Sequence, residues 1–210
     1  MGGKIAQKTT PVPISPFAAV WHVTKLELIR MSRGRAVRAA AVIAGIFVVI
    51  ATLACVFGTQ DSRATFVGTV RGLFPFLTMG LAMLFGARAL SDDSETGILH
   101  FFHLLPLPRW PVTLGKYVGA IIAVGALMGA STILLYLGTH IAEPELILEH
   151  HVDLWRGLGA SLAATLCYTA VFYFLGTVVA DLPYLLPLLF IVIFELGLGS
   201  YLPGSWDPAR

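Results

Sequence analysis

Five apolar stretches, each about as long as a bilayer is thick, constrain this chain more than any other feature. They run over residues 39–57, 68–87, 114–138, 157–180 and 183–202, and a helix needs about 20 largely apolar residues to cross the hydrocarbon core. Each is bounded by charge or by turn residues. Over the 210 residues only 12% are Asp, Glu, Lys or Arg while 57% are hydrophobic; soluble domains carry roughly 25% charged residues. That supply cannot cover a water-soluble globule of this size, which excludes a soluble enzyme, a nucleic-acid reader and a disordered segment. The expectation is an all-α, polytopic integral membrane protein.

The second stretch carries Arg71, expected one turn inside the span, where a long side chain can snorkel to the headgroups. The fourth and fifth are separated only by Asp181 and Leu182, a tight hairpin. Residues 1–38 form a cytoplasmic N-terminus ahead of a transmembrane domain over 39–210. Met1 to Pro16 is polar and Pro-rich and does not read as a signal peptide. Phe17 to Arg38 mixes Phe17, Val20, Trp21, Leu28 and Ile29 with Lys25, Arg30, Arg33, Arg35 and Arg38, the composition of a helix lying in the membrane interface.

Orientation follows from the basic residues. Seven precede the first span (Lys4, Lys8, Lys25, Arg30, Arg33, Arg35, Arg38) and three lie between spans two and three (Arg88, Arg109, Lys116), ten on one side. Four remain on the other: Arg63, Arg71, Arg156 and Arg210. The N-terminus is therefore expected in the cytoplasm. Five spans leave the C-terminus outside, or leave a sixth, returning span to lie beyond Arg210.

The connection 88–116 is long, amphipathic and cytoplasmic on this topology. Ser91 can cap a following turn, and Asp92, Asp93 and Glu95 suit the positive end of a helix. Leu99, Phe102 and His103 fall at helical spacing, with Phe101 and Leu105 widening the apolar face. Pro106, Pro108 and Pro111 force a break before the third span. The expected object is a short amphipathic helix tied to two spans, able to receive a push from a cytoplasmic partner, or else a loop resting on the headgroups.

The run Asp93-Ser-Glu-Thr-Gly-Ile-Leu99, followed by Leu104-Leu-Pro-Leu-Pro-Arg109 and Leu114-Gly-Lys116, resembles the cytoplasmic signature of ABC-2 type transporter permeases. Glu95, Gly97, Leu99, Pro106, Arg109, Gly115 and Lys116 match that pattern in order and approximate spacing, and the basic N-terminal segment containing Glu27 looks like the family's elbow helix. The resemblance implies a permease subunit of an ABC exporter in a bacterial inner membrane, two such subunits pairing with two separate cytoplasmic ABC ATPase subunits. ATP and magnesium would belong to the partner, with no cofactor in this chain, and lipids would surround it. Phe101, Phe102, Leu104 and Leu105 would contact the ATPase, and Glu95, Gly97, Pro106 and Arg109 would shape the coupling loop. The family typically has six spans. The sequence has no Gly-x-x-x-x-Gly-Lys-Ser/Thr phosphate loop. A non-transporting scaffold docking a partner through 88–116 is the alternative.

Other features have less specific readings. Glu195, inside the fifth span, is a candidate for the translocation pathway or for a polar pair with a neighbouring helix. His140, His150 and His151 with Glu143, Glu145 and Glu149 lack tight metal-ligand spacing, so the expectation is a solvated loop and no metal. Gly68/Gly72, Gly115/Gly119 and Gly125/Gly129 have the small-x-x-x-small spacing of close helix packing, first of all within one subunit. Cys55 and Cys167 read as small core hydrophobes, and Ser161 as helix packing.

Overall fold

The computed structural model describes residues 15–57, 61–87, 110–141, 144–178 and 184–193. No strand occurs among them; the elements are helices throughout. Helix α1 (Pro16–Arg33) starts where Pro16 presets the backbone and the Ala18 amide donates to Ser15 Oγ at 3.3 Å. It stops at Gly34, which is extended and whose amide donates to the Met31 carbonyl at 2.8 Å. α2 (Arg35–Phe57) begins immediately after. The basic N-terminal segment is thus a helix of its own with an elbow at Gly34. Phe17, Trp21, Leu26 and Ile29 stand exposed on it beside Lys25, Arg30 and Arg33, the mixture an interfacial helix presents to headgroups.

Four helical segments are long and apolar enough to cross a membrane: Arg35–Phe57, Ser62–Ala87, Trp110–Thr139 and His151–Val178. They correspond to the first four expected spans, but each begins earlier. The second consists of α3 (Ser62–Gly72), α4 (Phe74–Ala82) and a closing π turn over Met83–Ala87. Its start at Ser62 corrects the expectation for Arg71, which is the tenth helical residue and not one turn inside. The helix extends outward because Asp61 accepts the Arg63 amide at 3.3 Å and the Arg63 side chain is paired, so the polar first turns are satisfied. The break at Leu73 has its cause in Pro75, which has no amide to give the Arg71 carbonyl.

α5 (Trp110–Thr139) is the third span, α6 (Leu146–Glu149) a single turn after it, and α7 (His151–Val178) the fourth span. The fifth expected span is described only through Ile193, as α8 (Leu185–Phe190) and a further turn; Glu195 lies outside the described residues.

α5 is the hub, touching α1, α2, α3, α4 and α7. α2 meets it through Ala40, Ala44, Val48, Ala51 and Cys55, a buried stripe of mostly small residues, while Val42, Ile43, Ile46, Val49, Ile50 and Leu53 face outward. In lipid this arrangement is natural. Hydrocarbon solvates large side chains as well as the interior does, so helix contacts select small residues that allow close approach. Phe66, Phe74, Leu77, Leu81, Phe85, Val124, Met128 and Leu135 fill the centre. Several buried hydroxyls return to their own helix: Thr78 donates to Phe74 O, Thr132 to Met128 O and Thr165 to Ser161 O, each at 2.8 Å. Ser161 also meets Thr132 across the α5–α7 contact at 3.3 Å, the packing role expected of it.

The stripe predicts an inversion of the soluble-protein rule. Ala44→Leu should lower the thermal unfolding midpoint of the detergent-purified protein, with overpacking of about 1–3 kcal/mol, whereas Ile46→Ala should leave it nearly unchanged. Equal losses for both would place α2 differently.

Candidate functional site

The residues expected to couple to an ATPase, Glu95, Gly97, Leu99, Phe101, Phe102, Leu104, Leu105, Pro106 and Arg109, lie in 88–109, outside the described residues. The structure does show what holds the two ends of that connection. The chain enters it from the π turn Met83–Ala87 and leaves it at Trp110, the first residue of α5.

Both ends are clamped. On the leaving side, α1 lies against the first turns of α5. Thr24, 1% exposed, donates its hydroxyl to the Gly115 carbonyl at 3.0 Å. A Cβ at Gly115 would stand 2.8 Å from Val23 Cβ and 2.9 Å from the Val20 carbonyl, and one at Gly119 would meet Glu27 at 3.3 Å. The Gly115/Gly119 pair therefore serves packing within the subunit. Phe17 adds an edge contact to Trp110, with ring centroids 6.3 Å apart. On the entering side, a Cβ at Gly176 of α7 would fall 2.5 Å from the Ala87 carbonyl, and one at Gly86 would meet the Thr169 carbonyl at 3.3 Å. Only glycines let these two backbones run so close.

The last turns of α7 join the two sides. Tyr173, three residues before Gly176, donates its hydroxyl to the Thr113 carbonyl at 2.9 Å, and its ring lies 5.4 Å from that of Tyr117. A collar of α1, α7 and the first turns of α5 thus grips both stalks of the 88–109 connection. Ionisable groups are buried within it: Glu27 is 5% and Lys116 3% exposed, and Arg30 approaches Glu27 at 3.7 Å. Buried charges of this kind are held by partners and order the elements that carry them.

The opposite end of the bundle is latched by charge. Arg63 Nε lies 2.7 Å from Asp153 Oδ2, and Arg156 approaches the same carboxylate at 3.8 Å. Tyr136 donates to the Ile147 carbonyl at 2.7 Å and packs on Phe66. The histidine-rich segment between α5 and α7 is not simply a solvated loop. His140 is fully buried, its ring 4.5 Å from Tyr136 and 5.8 Å from His150, because α6 folds back over the end of α5. Asp153, ahead of the expected fourth span at 157–180, is in the first turn of α7. Among the described residues no group of three or more His, Cys, Asp or Glu is placed to hold a metal ion. Cys55 is buried and donates to the Thr139 carbonyl at 3.3 Å, whereas Cys167, expected in a core, faces outward.

Residues 37–203 match the family model described as an ABC-2 family transporter protein. The chain belongs to the ABC-2 transporter family. It is accordingly a multi-pass permease subunit of an ABC transporter, a type of subunit that partners an ABC ATPase and is not itself the ATPase. No curated protein matches it significantly. The pairing of Thr24 with Gly115 and the close approaches of Gly176 to Ala87 and of Gly86 to Thr169 escaped sequence reasoning; the only local signal was the Gly115/Gly119 spacing.

If the collar is a packed unit, Gly115→Leu and Gly176→Leu should each reduce the unfolding midpoint in detergent by several degrees, since each drives a side chain into a neighbouring helix backbone. Gly68→Leu, whose Cβ meets nothing within 4 Å, is the matched control and should not.

Proposed function

We propose that this subunit moves its substrate by ATP hydrolysis carried out in a separate ATPase, and that the 88–109 connection is the element through which the ATPase acts. The observation that carries this reading is the collar. Because α1, α5 and α7 grip both stalks of the connection, a displacement applied to residues 98–105 reaches three helices together instead of dissipating in one flexible loop. Packed interfaces with two arrangements convert such a displacement into a change of access.

In this reading Phe101, Phe102, Leu104 and Leu105 dock on the ATPase, Glu95, Gly97, Leu99, Pro106 and Arg109 shape the docking element, and ATP with magnesium resides in the partner. Two permease subunits, alike or different, complete the transporter, with Glu195 a candidate for its pathway. The ten-to-four distribution of basic residues supports a cytoplasmic N-terminus in a bacterial inner membrane. Exposed Phe17, Trp21 and Leu26 on α1 sit well at that interface.

The test is co-purification of the tagged protein from its native host under gentle extraction. A stoichiometric ATPase should accompany the wild type and be lost from the Phe101→Asp/Phe102→Asp double variant while that variant remains inserted; Gly97→Arg should uncouple hydrolysis from transport. A stable complex without any nucleotide-binding subunit would overturn the proposal in favour of a scaffold.

A further inference from the structure

Between α3 and the outer end of α7 lies a cavity of about 510 Å³, within the size range of small-molecule sites. Arg63, Val67, Val70 and Arg71 line it from one face of α3, at the i, i+4, i+7, i+8 spacing of a helical stripe. Arg156 and Ala160 line it from α7. The ionisable lining is three arginines, Arg63, Arg71 and Arg156, against two carboxylates, Asp61 and Asp153. Both carboxylates are already engaged: Asp153 holds Arg63 at 2.7 Å and Arg156 at 3.8 Å, and Asp61 accepts the Arg63 amide.

Arg71 makes no ion pair or side-chain hydrogen bond among the described residues. It is exposed and sits nine residues along α3 from Ser62, about 13 Å at the rise of an α-helix, so within a membrane its charge is expensive without a counter-ion. Arg71 lines the same cavity as Arg63 and Asp153. An anion there would complete the charge balance.

The walls indicate what else the ligand carries. Val67 and Val70 form one side. On α7 the Arg156–Ala160 face continues along the helix as Ala163 and Cys167, again at i, i+4, i+7, i+11, all exposed and the last three small. A free inorganic anion would gain nothing from that track, whereas an acyl chain would lie along it. We propose that this cavity is a binding site for an anionic membrane lipid, its phosphate held by Arg71 with Arg156 and its chain running down the Ala160–Ala163–Cys167 face. The site is independent of the transport reading, since it requires neither an ATPase nor the 88–109 connection.

The test is native mass spectrometry of the full-length protein in detergent, titrated with phosphatidylglycerol or phosphatidylcholine of identical chains. The wild type should retain phosphatidylglycerol preferentially. Arg71→Gln should weaken that retention about tenfold, the effect of removing one charge-assisted hydrogen bond, and Arg71→Lys should keep most of it. Ala160→Trp fills the track without touching a charge and should also weaken it, while Arg33→Gln on α1 should not. Millimolar inorganic phosphate should fail to displace the lipid. The proposal is overturned if the wild type shows no preference, or if the preference survives both Arg71→Gln and Ala160→Trp. Loss through Arg33→Gln instead, or full competition by inorganic phosphate, would also overturn it.

Discussion

Close backbone approach along Trp110–Thr139 is the contact on which the rest of the structure depends. Its glycines distribute the neighbours: Gly115 and Gly119 face α1, Gly125 faces Leu162 and Thr165 of α7, and Gly138 faces Thr52 of α2. In a bilayer the apolar side chains gain little by leaving lipid for the interior, so association rests on van der Waals contact at short range and on interhelical hydrogen bonds. A hub helix carrying small residues on several faces can collect several partners at once. The Thr24 to Gly115 bond illustrates the combination, since the glycine that brings α1 close also presents the carbonyl that Thr24 needs.

The two ends of the bundle are held by different physics. Around the stalks of 88–109 the grip is steric, built from Gly86, Gly115 and Gly176 with hydroxyl donors from Thr24 and Tyr173. At the other end it is electrostatic, centred on Asp153 between Arg63 and Arg156. A steric collar is stiff because packed backbones cannot be compressed. A charged latch is strong only while its carboxylate and guanidinium groups stay paired, because a lone charge within a membrane bundle is costly.

The first four spans were legible in the sequence because a 20-residue apolar window is a local property. Their ends were less so. The second span was expected from residue 68 and begins at Ser62, since Arg63 and Asp153, 90 positions apart, neutralise each other. The same long-range pairing lies in the first turn of α7, ahead of the expected start at 157, and the earlier start of α3 left Arg71 deeper than expected. His140 was misread for a related reason: its burial comes from α6 folding back, which no neighbouring residue signals. The residues proposed for coupling, from Glu95 to Arg109, were named by motif, and the collar at the two ends of that connection was not.

Composition and span length alone determined that this chain is a polytopic helical membrane protein, and the ordered residues between Asp93 and Lys116 pointed to its family. Which face of each helix meets which neighbour was decided only by the tertiary structure. In water an amphipathic stripe betrays the buried face, because polar residues must turn outward. In lipid both faces are apolar, so α5 and α7 carry no such stripe, and the buried side is set by where a glycine, a threonine or a charge finds its partner on another helix.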